Sequence, residues 1–321
     1  MATATAASPR EVGAARAAAP PAVRRRRRRP GALEPYLYLI PALLGIAVWV
    51  YRPLAGTIEL SFYQWNLLPA TPRVAVGLAN YHSVLTLPEM AQALGNTLLY
   101  VVGLLPFSVL LPLAVALLTE GVTGRWRAFY RAAIFAPMLM APVVVAVVWR
   151  WILHPTQGVL GLTLHALFGT PPVNWFREPG LAIWAIIAIT GWKLLGFSVL
   201  VCAAGLSAVN PDCLAAARVD GASRWQTVRY VTLPLLSPTI AFMVLMTVLL
   251  AAQWTFPLVN VLTQGGPFGA TTNIYFLLWQ YGFRHFNVGI SSAAAVLFFV
   301  AFGALALLSL RLIDRLSFYD D

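Results

Sequence analysis

PDCLAAARVDGASRWQTVRYVTLPLLSP, residues Pro211 to Pro238, is the longest passage in the C-terminal half too polar to sit in lipid. Apolar segments stand on both sides of it, and it holds Arg218, Arg224 and Arg229. Leu214 to Val219 is built of good helix formers. Asp220-Gly221 should stop that helix, because glycine accepts the left-handed conformation just past a helix end. Ser223 followed by Gln226 is a capping-box pattern that starts a second helix. That second helix is expected to end before Pro234, which lacks an N–H donor. Two short capped helices around a turn, basic and lying between membrane spans, suit docking to another protein.

The surrounding composition places this loop. The chain is 60% hydrophobic and 10% charged over 321 residues, with mean hydropathy +0.75. Soluble domains carry roughly 25% charge, so the composition indicates a polytopic membrane protein. Apolar segments occur at 36–58, 96–118, 132–150, 181–206, 239–262 and 289–310. Each is near the ~20 residues a helix needs to cross ~30 Å of hydrocarbon. Backbone groups in lipid must be satisfied within the segment, so these spans should be helices. Pro106, Pro112, Pro137, Pro142 and Pro257 fall inside them and are expected to kink them. The two cysteines, Cys202 and Cys213, are expected as reduced thiols.

Six spans put both termini on one side, and charge decides which. The N-terminal tail, the 119–131 loop, the 207–236 loop and the C-terminal end hold sixteen of the 22 basic residues. Without the tail the comparison is eight against five. The termini and the 207–236 loop are therefore expected to be cytoplasmic. Residues 1–35 form an alanine-, proline- and arginine-rich tail, with six consecutive arginines from Arg24 to Arg29. Such a segment cannot bury enough apolar surface to fold and is expected to be disordered. An arginine run can bind nucleic acid or anionic lipid. With a span starting within ten residues, it is read as a positive-inside anchor, and nucleic acid is not an expected partner. Arginine and alanine dominate and Lys193 is the sole lysine, a usage that points to a high-GC bacterial genome.

The loop also resembles the cytoplasmic loop of permease subunits of binding-protein-dependent ABC importers. That family reads E-A-A, three residues, G, nine residues, I/V, one residue, L-P. Here stand Ala215-Ala216-Ala217, Gly221, and Val231-Thr232-Leu233-Pro234, with every spacing matched. Ala215 departs from the family's glutamate. The outward loops carry further resemblance, to the sugar-type branch that includes maltose and glycerol-phosphate permeases. Ser61-Phe62 through Trp65-Asn66 to Gly77, Asn80 and Tyr81 is similar to its "SF-x-x-W-N … GL-x-N-Y" entry. Gly265-Gly266-Pro267 and the later Phe286-Asn287-Val288-Gly289 resemble that branch's GGP and F-x-x-G. Asn96-Thr97 resembles its N-T entry to the second span and reads as structural.

The resemblance covers about residues 36–315, and it implies a six-helix, all-α type I importer permease domain. It further implies a carbohydrate substrate, a second homologous permease, two ATP-binding cassette ATPases on the cytoplasmic loops and an extracytoplasmic solute-binding protein. The ATPase-coupling residues it implies are Leu214, Ala215, Ala216, Ala217, Arg218, Asp220, Gly221, Trp225 and Pro234. The helices flanking the loop line the family's solute site. By position this carries over to Lys193, Leu194 and Phe197 before the loop and to Gln253, Trp254 and Thr255 after it.

Catalytic patterns are missing from the sequence. A P-loop needs a lysine followed by serine or threonine, and Lys193 is followed by Leu194. ATP would therefore be bound and hydrolysed by partner subunits, and no cofactor is expected in this chain. There is no H-E-x-x-H and no G-x-S-x-G, and His82, His154, His165 and His285 are scattered in outer loops, so no metal site is expected. Lys193 stands near the centre of its span, where a cation costs ~2.5–3.5 kcal/mol on insertion scales. It either faces a water-filled path or holds two spans together through a carboxylate or carbonyl. Trp254 can stack on a sugar face while Gln253 or Thr255 bonds hydroxyls; alternatively Trp254 is packing and Gln253 and Thr255 serve interhelical bonding. Two other functions stay open at this point, an ABC permease for a non-sugar solute and a secondary transporter working without an ATPase.

Overall fold

The computed structural model describes residues 34–119, 121–122 and 124–316, and it is predominantly helical. The expected disordered tail, 1–35, lies outside the described residues up to residue 33. The chain divides after Arg52 into two units. In the first, helix Glu34–Ile46 runs on into a π turn, Ala47–Tyr51. The apolar stretch Tyr36–Leu60, 25 residues long, can cross a membrane.

The second unit contains four further straight spans, Pro88–Leu118, Pro179–Ala208, Ser237–Thr263 and Val288–Arg311. The segment expected as one crossing at 132–150 is instead two helices, Gly124–Leu139 and Pro142–Ile152, bent by 96°. The break has a local cause. Pro142 disfavours helical geometry at the residue before it, and Ala141 is indeed extended, with φ −59° and ψ 136°. Pro142 then opens the new helix, where its missing N–H is harmless. Counting the bent pair as one span, the described residues hold six crossings. The second crossing starts at Pro88 rather than at residue 96.

Three prolines within the helical runs are accommodated by π turns. Three such turns, Ala47–Tyr51, Pro106–Leu110 and Val228–Thr232, end two residues before Pro53, Pro112 and Pro234. In each the next N–H reaches back five residues, from Arg52 to Ala47, Leu111 to Pro106 and Leu233 to Val228. A proline ring collides with the carbonyl four residues back. Widening the preceding turn moves that carbonyl aside. The loop's second helix was expected to end before Pro234; this device carries it on to Leu235.

Helix Pro179–Ala208 is the most enclosed span, with 61% of its apolar window buried against 11% for Val288–Arg311. Its Ile183, Ile186, Ile187 and Ile189 pack with Tyr100, Leu104, Val145 and Phe276. Glycines let backbones approach, as is usual between membrane helices. A Cβ on Gly196 would strike the backbone of Ile134 and Phe135, and one on Gly191 would strike the Phe107 ring. Further along, Cys202 donates to the Met243 sulfur at 3.5 Å.

The segment 263–288 was read as an outer loop, yet its middle, Thr271 to Ile274, is buried in the core. Gln264, Gly265, Phe268 and Gly269 all have positive φ, which curls the chain back on itself. Thr271, Asn273 and Ile274 are then fully buried. Asn96 donates to the carbonyls of Gly269 and Thr272 at 2.8 and 2.9 Å, and Tyr100 donates to Thr271 at 3.0 Å. The Thr97 hydroxyl accepts from the Ile274 N–H at 3.1 Å. Asn273 caps helix Ile274–Trp279 and donates to Ala252 and Thr255. Asn96-Thr97 is thus a structural clamp.

The first outer segment is folded as well. Tyr63–Gln64 pairs antiparallel with Val74–Ala75, and Ala79–Thr86 is a helix. Asn80 donates to the carbonyls of Ser61 and Tyr63 at 2.9 and 3.0 Å. The Ser61 and Tyr81 hydroxyls are 2.7 Å apart.

Two glycine substitutions separate close packing from helix propensity. Gly196→Val should destabilise the bundle by about 1–3 kcal/mol through overpacking. Gly95→Ala, with nothing within 4 Å of an added Cβ, should be tolerated. Thermal unfolding of both variants in detergent, read against the parent chain, checks this; equal melting would remove the close approach from the account.

Candidate functional site

The polar loop forms as two capped helices. Asn210 caps helix Pro211–Val219, its side chain accepting from the Asp212 N–H at 2.9 Å. At the far end the Ala222 N–H reaches the Ala217 carbonyl at 3.0 Å and the Gly221 N–H reaches Arg218 at 3.1 Å. This paired closure needs a left-handed residue, and Gly221 has φ +75°. The second helix opens at Arg224 on a reciprocal box. Gln226 accepts from the Ser223 N–H at 2.8 Å while Ser223 Oγ accepts from Gln226 at 3.3 Å. The loop's shape is therefore fixed by its own side chains.

The capped element offers a surface. Ala217 is buried, while Ala215, Ala216, Arg218, Asp220, Gly221 and Trp225 are exposed. Val219 is 86% exposed, and Trp225 and Tyr230 are each 72% exposed. Three large apolar side chains held out from a basic loop form the kind of patch that marks a protein interface. Leu214 and Arg218 also line a cleft of about 470 Å³ with Arg224 and Leu206. Pro234 is half-buried. At the base, a Cβ on Gly205 would sit 2.7 Å from Thr239 Oγ1, so the two flanking spans touch where the loop leaves them.

The residues expected along a solute pathway are divided between two helices, Pro179–Ala208 and Ser237–Thr263. Lys193 is half-buried, Leu194 is buried, and Phe197 is 43% exposed. Lys193 and Phe197, four residues apart, lie on one face. Gln253 is exposed and Trp254 half-buried. Thr255 is fully buried; its hydroxyl donates to the Ala251 carbonyl and accepts from Asn273, both at 2.9 Å. Two residues apart on a helix, Gln253 and Thr255 point to different sides. Of the two residues offered for hydroxyl contacts, Thr255 is engaged as interhelical bonding and clamps the inturned outer segment.

Two features escaped the sequence. Thr190, one turn before Lys193, is buried with no hydrogen-bond partner for its hydroxyl. Its spacing from Lys193 was the available signal. On the side of the inturned segment, a cavity of about 670 Å³ is lined by Arg150, His154, Asn174, Arg177 and Thr263 among others. Arg150 also donates to the Val261 carbonyl, inside the π turn Val259–Thr263. Arg150 lies more than a hundred positions from Val261 and Thr263, so no local pattern announced the cavity.

A bundle of apolar spans with an inturned outer segment and a capped polar loop defines a helical membrane transport component. The profile of the binding-protein-dependent transport system inner membrane component family matches residues 91–318. The chain belongs to that family, and it is a multi-pass membrane protein. It is 33% identical to the trehalose/maltose transport system permease of Thermococcus litoralis, over 83% of this chain and 88% of that one. It is 27% identical to the sn-glycerol-3-phosphate transport system permease of Agrobacterium fabrum, over 90% and 98% of the two chains. Its fold matches a permease chain in the crystal structure of a bacterial ABC transporter involved in the import of the acidic polysaccharide alginate. The TM-score is 0.77 at 23% identity, covering 88% of this chain and 96% of that one.

The reciprocal cap makes a local prediction. Ser223→Ala should cost about 1 kcal/mol of local stability. Amide exchange of Arg224 to Gln226 should speed up while the spans keep their protection. Unchanged exchange would show that the loop is held by something other than its caps.

Proposed function

We propose that this chain is one membrane-spanning half of an ATP-driven importer for carbohydrate. The observation that carries the reading is the capped loop between helices Pro179–Ala208 and Ser237–Thr263, with the family spacing from Ala215 to Pro234. The carbohydrate assignment is supported by relatives named for trehalose/maltose and for glycerol-3-phosphate, and by the alginate importer of like fold. A second homologous permease completes the pathway. An extracytoplasmic binding protein delivers the solute to the outer face; the alginate transporter has been crystallised with its periplasmic protein carrying an alginate pentasaccharide.

Two ATPase subunits supply the energy. They bind ATP, and this chain is non-catalytic and holds no cofactor. The termini and the loop lie in the cytoplasm, following the arginine distribution. The ATPases grip the exposed Val219, Trp225 and Ala215-Ala216 surface, with Arg218 at the charged rim. Closure on ATP displaces helix Pro211–Val219. Because both of its ends are capped, and because the flanking spans touch at Gly205, the displacement passes to the spans and is not absorbed by loop flexing. Lys193, Phe197, Gln253 and Trp254 line the pathway that this motion opens and closes, with Leu194 and Thr255 packed behind them.

Gly221→Pro tests the lever. Proline cannot adopt φ +75°, so the turn must rearrange. Insertion into the membrane should persist while solute uptake in the complete transporter is lost. Normal uptake by this variant would remove the docking role. In the pathway, Trp254→Ala should raise the half-saturating solute concentration several-fold by deleting a stacking surface. An unchanged value would take Trp254 off the path.

A further inference from the structure

Helix Pro179–Ala208 is the most enclosed span, and its single charge stands halfway along. The Lys193 ammonium enters neither an ion pair nor a hydrogen bond among the described residues, where the one ion pair is Arg73–Glu59. Thr190 lies three residues earlier, its hydroxyl buried and unpaired. Phe197, four residues later, is exposed. The spacing puts all three on one side of the helix. Lipid is a poor place for that side, since hydrocarbon gives an ammonium no counter-charge. A neutral sugar would need hydroxyl, amide and aromatic neighbours. A lone cation asks for an anion.

The outer cavity carries the same sign. Its two arginines, Arg150 and Arg177, line it together with His154, Asn174 and Thr156. It is tied to the mid-span cation through one contact. Trp149 and Trp192, the neighbours of Arg150 and Lys193 in sequence, meet edge to face with centroids 5.6 Å apart. The wall of the cavity and the enclosed helix thus belong to one packed neighbourhood, with cations at two levels.

We infer that the solute is an anionic carbohydrate, bearing carboxylate or phosphate groups. Arg150 and Arg177 attract it at the outer cavity, and Lys193 takes its charge in mid-span beside the free Thr190 hydroxyl. This rests on the reading of the chain as a carbohydrate importer and names the substrate class of that pathway.

The test uses the complete transporter, with both permeases, the ATPases and the binding protein, in proteoliposomes. Three probe pools are offered: uronate oligosaccharides, the same oligosaccharides with their carboxylates reduced to hydroxymethyl groups, and sugar phosphates. Uptake should favour one anionic pool over the reduced one, and which pool it is separates carboxylate from phosphate. Lys193→Met should lower uptake of that anionic pool about tenfold, the scale of one charge-assisted bond, and narrow its advantage over the reduced pool. Lys193→Arg should retain most of the activity. Preference for the reduced pool, or equal loss for all pools in Lys193→Met, overturns the charge assignment and leaves the carbohydrate reading standing. Failure of Lys193→Met to assemble with the second permease, where Lys193→Arg assembles, also overturns it, because the counter-ion is then a carboxylate of that partner. Uptake of neutral disaccharides by a parent transporter that carries none of the three pools also overturns the charge assignment; if neither those disaccharides nor any pool is carried, the carbohydrate reading itself falls.

Discussion

Hydrocarbon supplies no hydrogen-bond partner, and each stretch of backbone placed in it must satisfy its own N–H and C=O groups. The described structure is arranged around that requirement. Long helices meet it for most of the chain. Where Pro53, Pro112 and Pro234 remove a donor, a π turn ahead of the proline lets the helical run continue. Where the chain leaves helical geometry among the spans, between Gln264 and Asn273, side chains of neighbouring helices take over. Asn96 and Tyr100 bind its carbonyls, Thr97 accepts its N–H, and Asn273 ties it to Ala252 and Thr255. These polar residues are spent on backbone, which is why so few of them remain for a solute.

The 211–235 segment answers a different environment. It is satisfied from within, by Asn210, by the Gly221 closure and by the Ser223–Gln226 box. Its apolar side chains, Val219, Trp225 and Tyr230, face outward. A loop that needs no partner to hold its shape, yet exposes apolar surface, is suited to being pushed. The contact of Gly205 with Leu236 and Thr239 joins the spans at its base. Stiffness and attachment together are what the proposed lever requires.

The arrangement of the loop and the arrangement of the pathway differ in what they reveal locally. The loop is governed by bonds between residues three to five apart, and such bonds are written in short motifs. Ser223 with Gln226 and Asp220-Gly221 were legible, and both formed. Asn210 as a cap was equally local and was overlooked. The pathway depends on which face of a long helix is covered. Helix Pro179–Ala208 is apolar almost all round, so its pattern does not tell a buried face from an open one. Thr255 shows the consequence. Its residue type suits a solute contact, and only the inturned segment, bringing Asn273 against it, shows that the hydroxyl is already engaged.

Composition and spacing by themselves determined a helical membrane protein and the caps at the Asp220-Gly221 turn and the Ser223–Gln226 box. Each of these follows from local chemistry, meaning apolar length against bilayer thickness, glycine at a left-handed turn, and serine three residues before glutamine. Tertiary structure alone decided the burial of Thr271 to Ile274, the outer cavity around Arg150 and Arg177, and the isolation of Lys193 from any counter-charge among the described residues. Those outcomes depend on contacts between distant segments, as where Asn96 meets Gly269 and Thr272 across 173 and 176 residues, and no short window of sequence contains both partners.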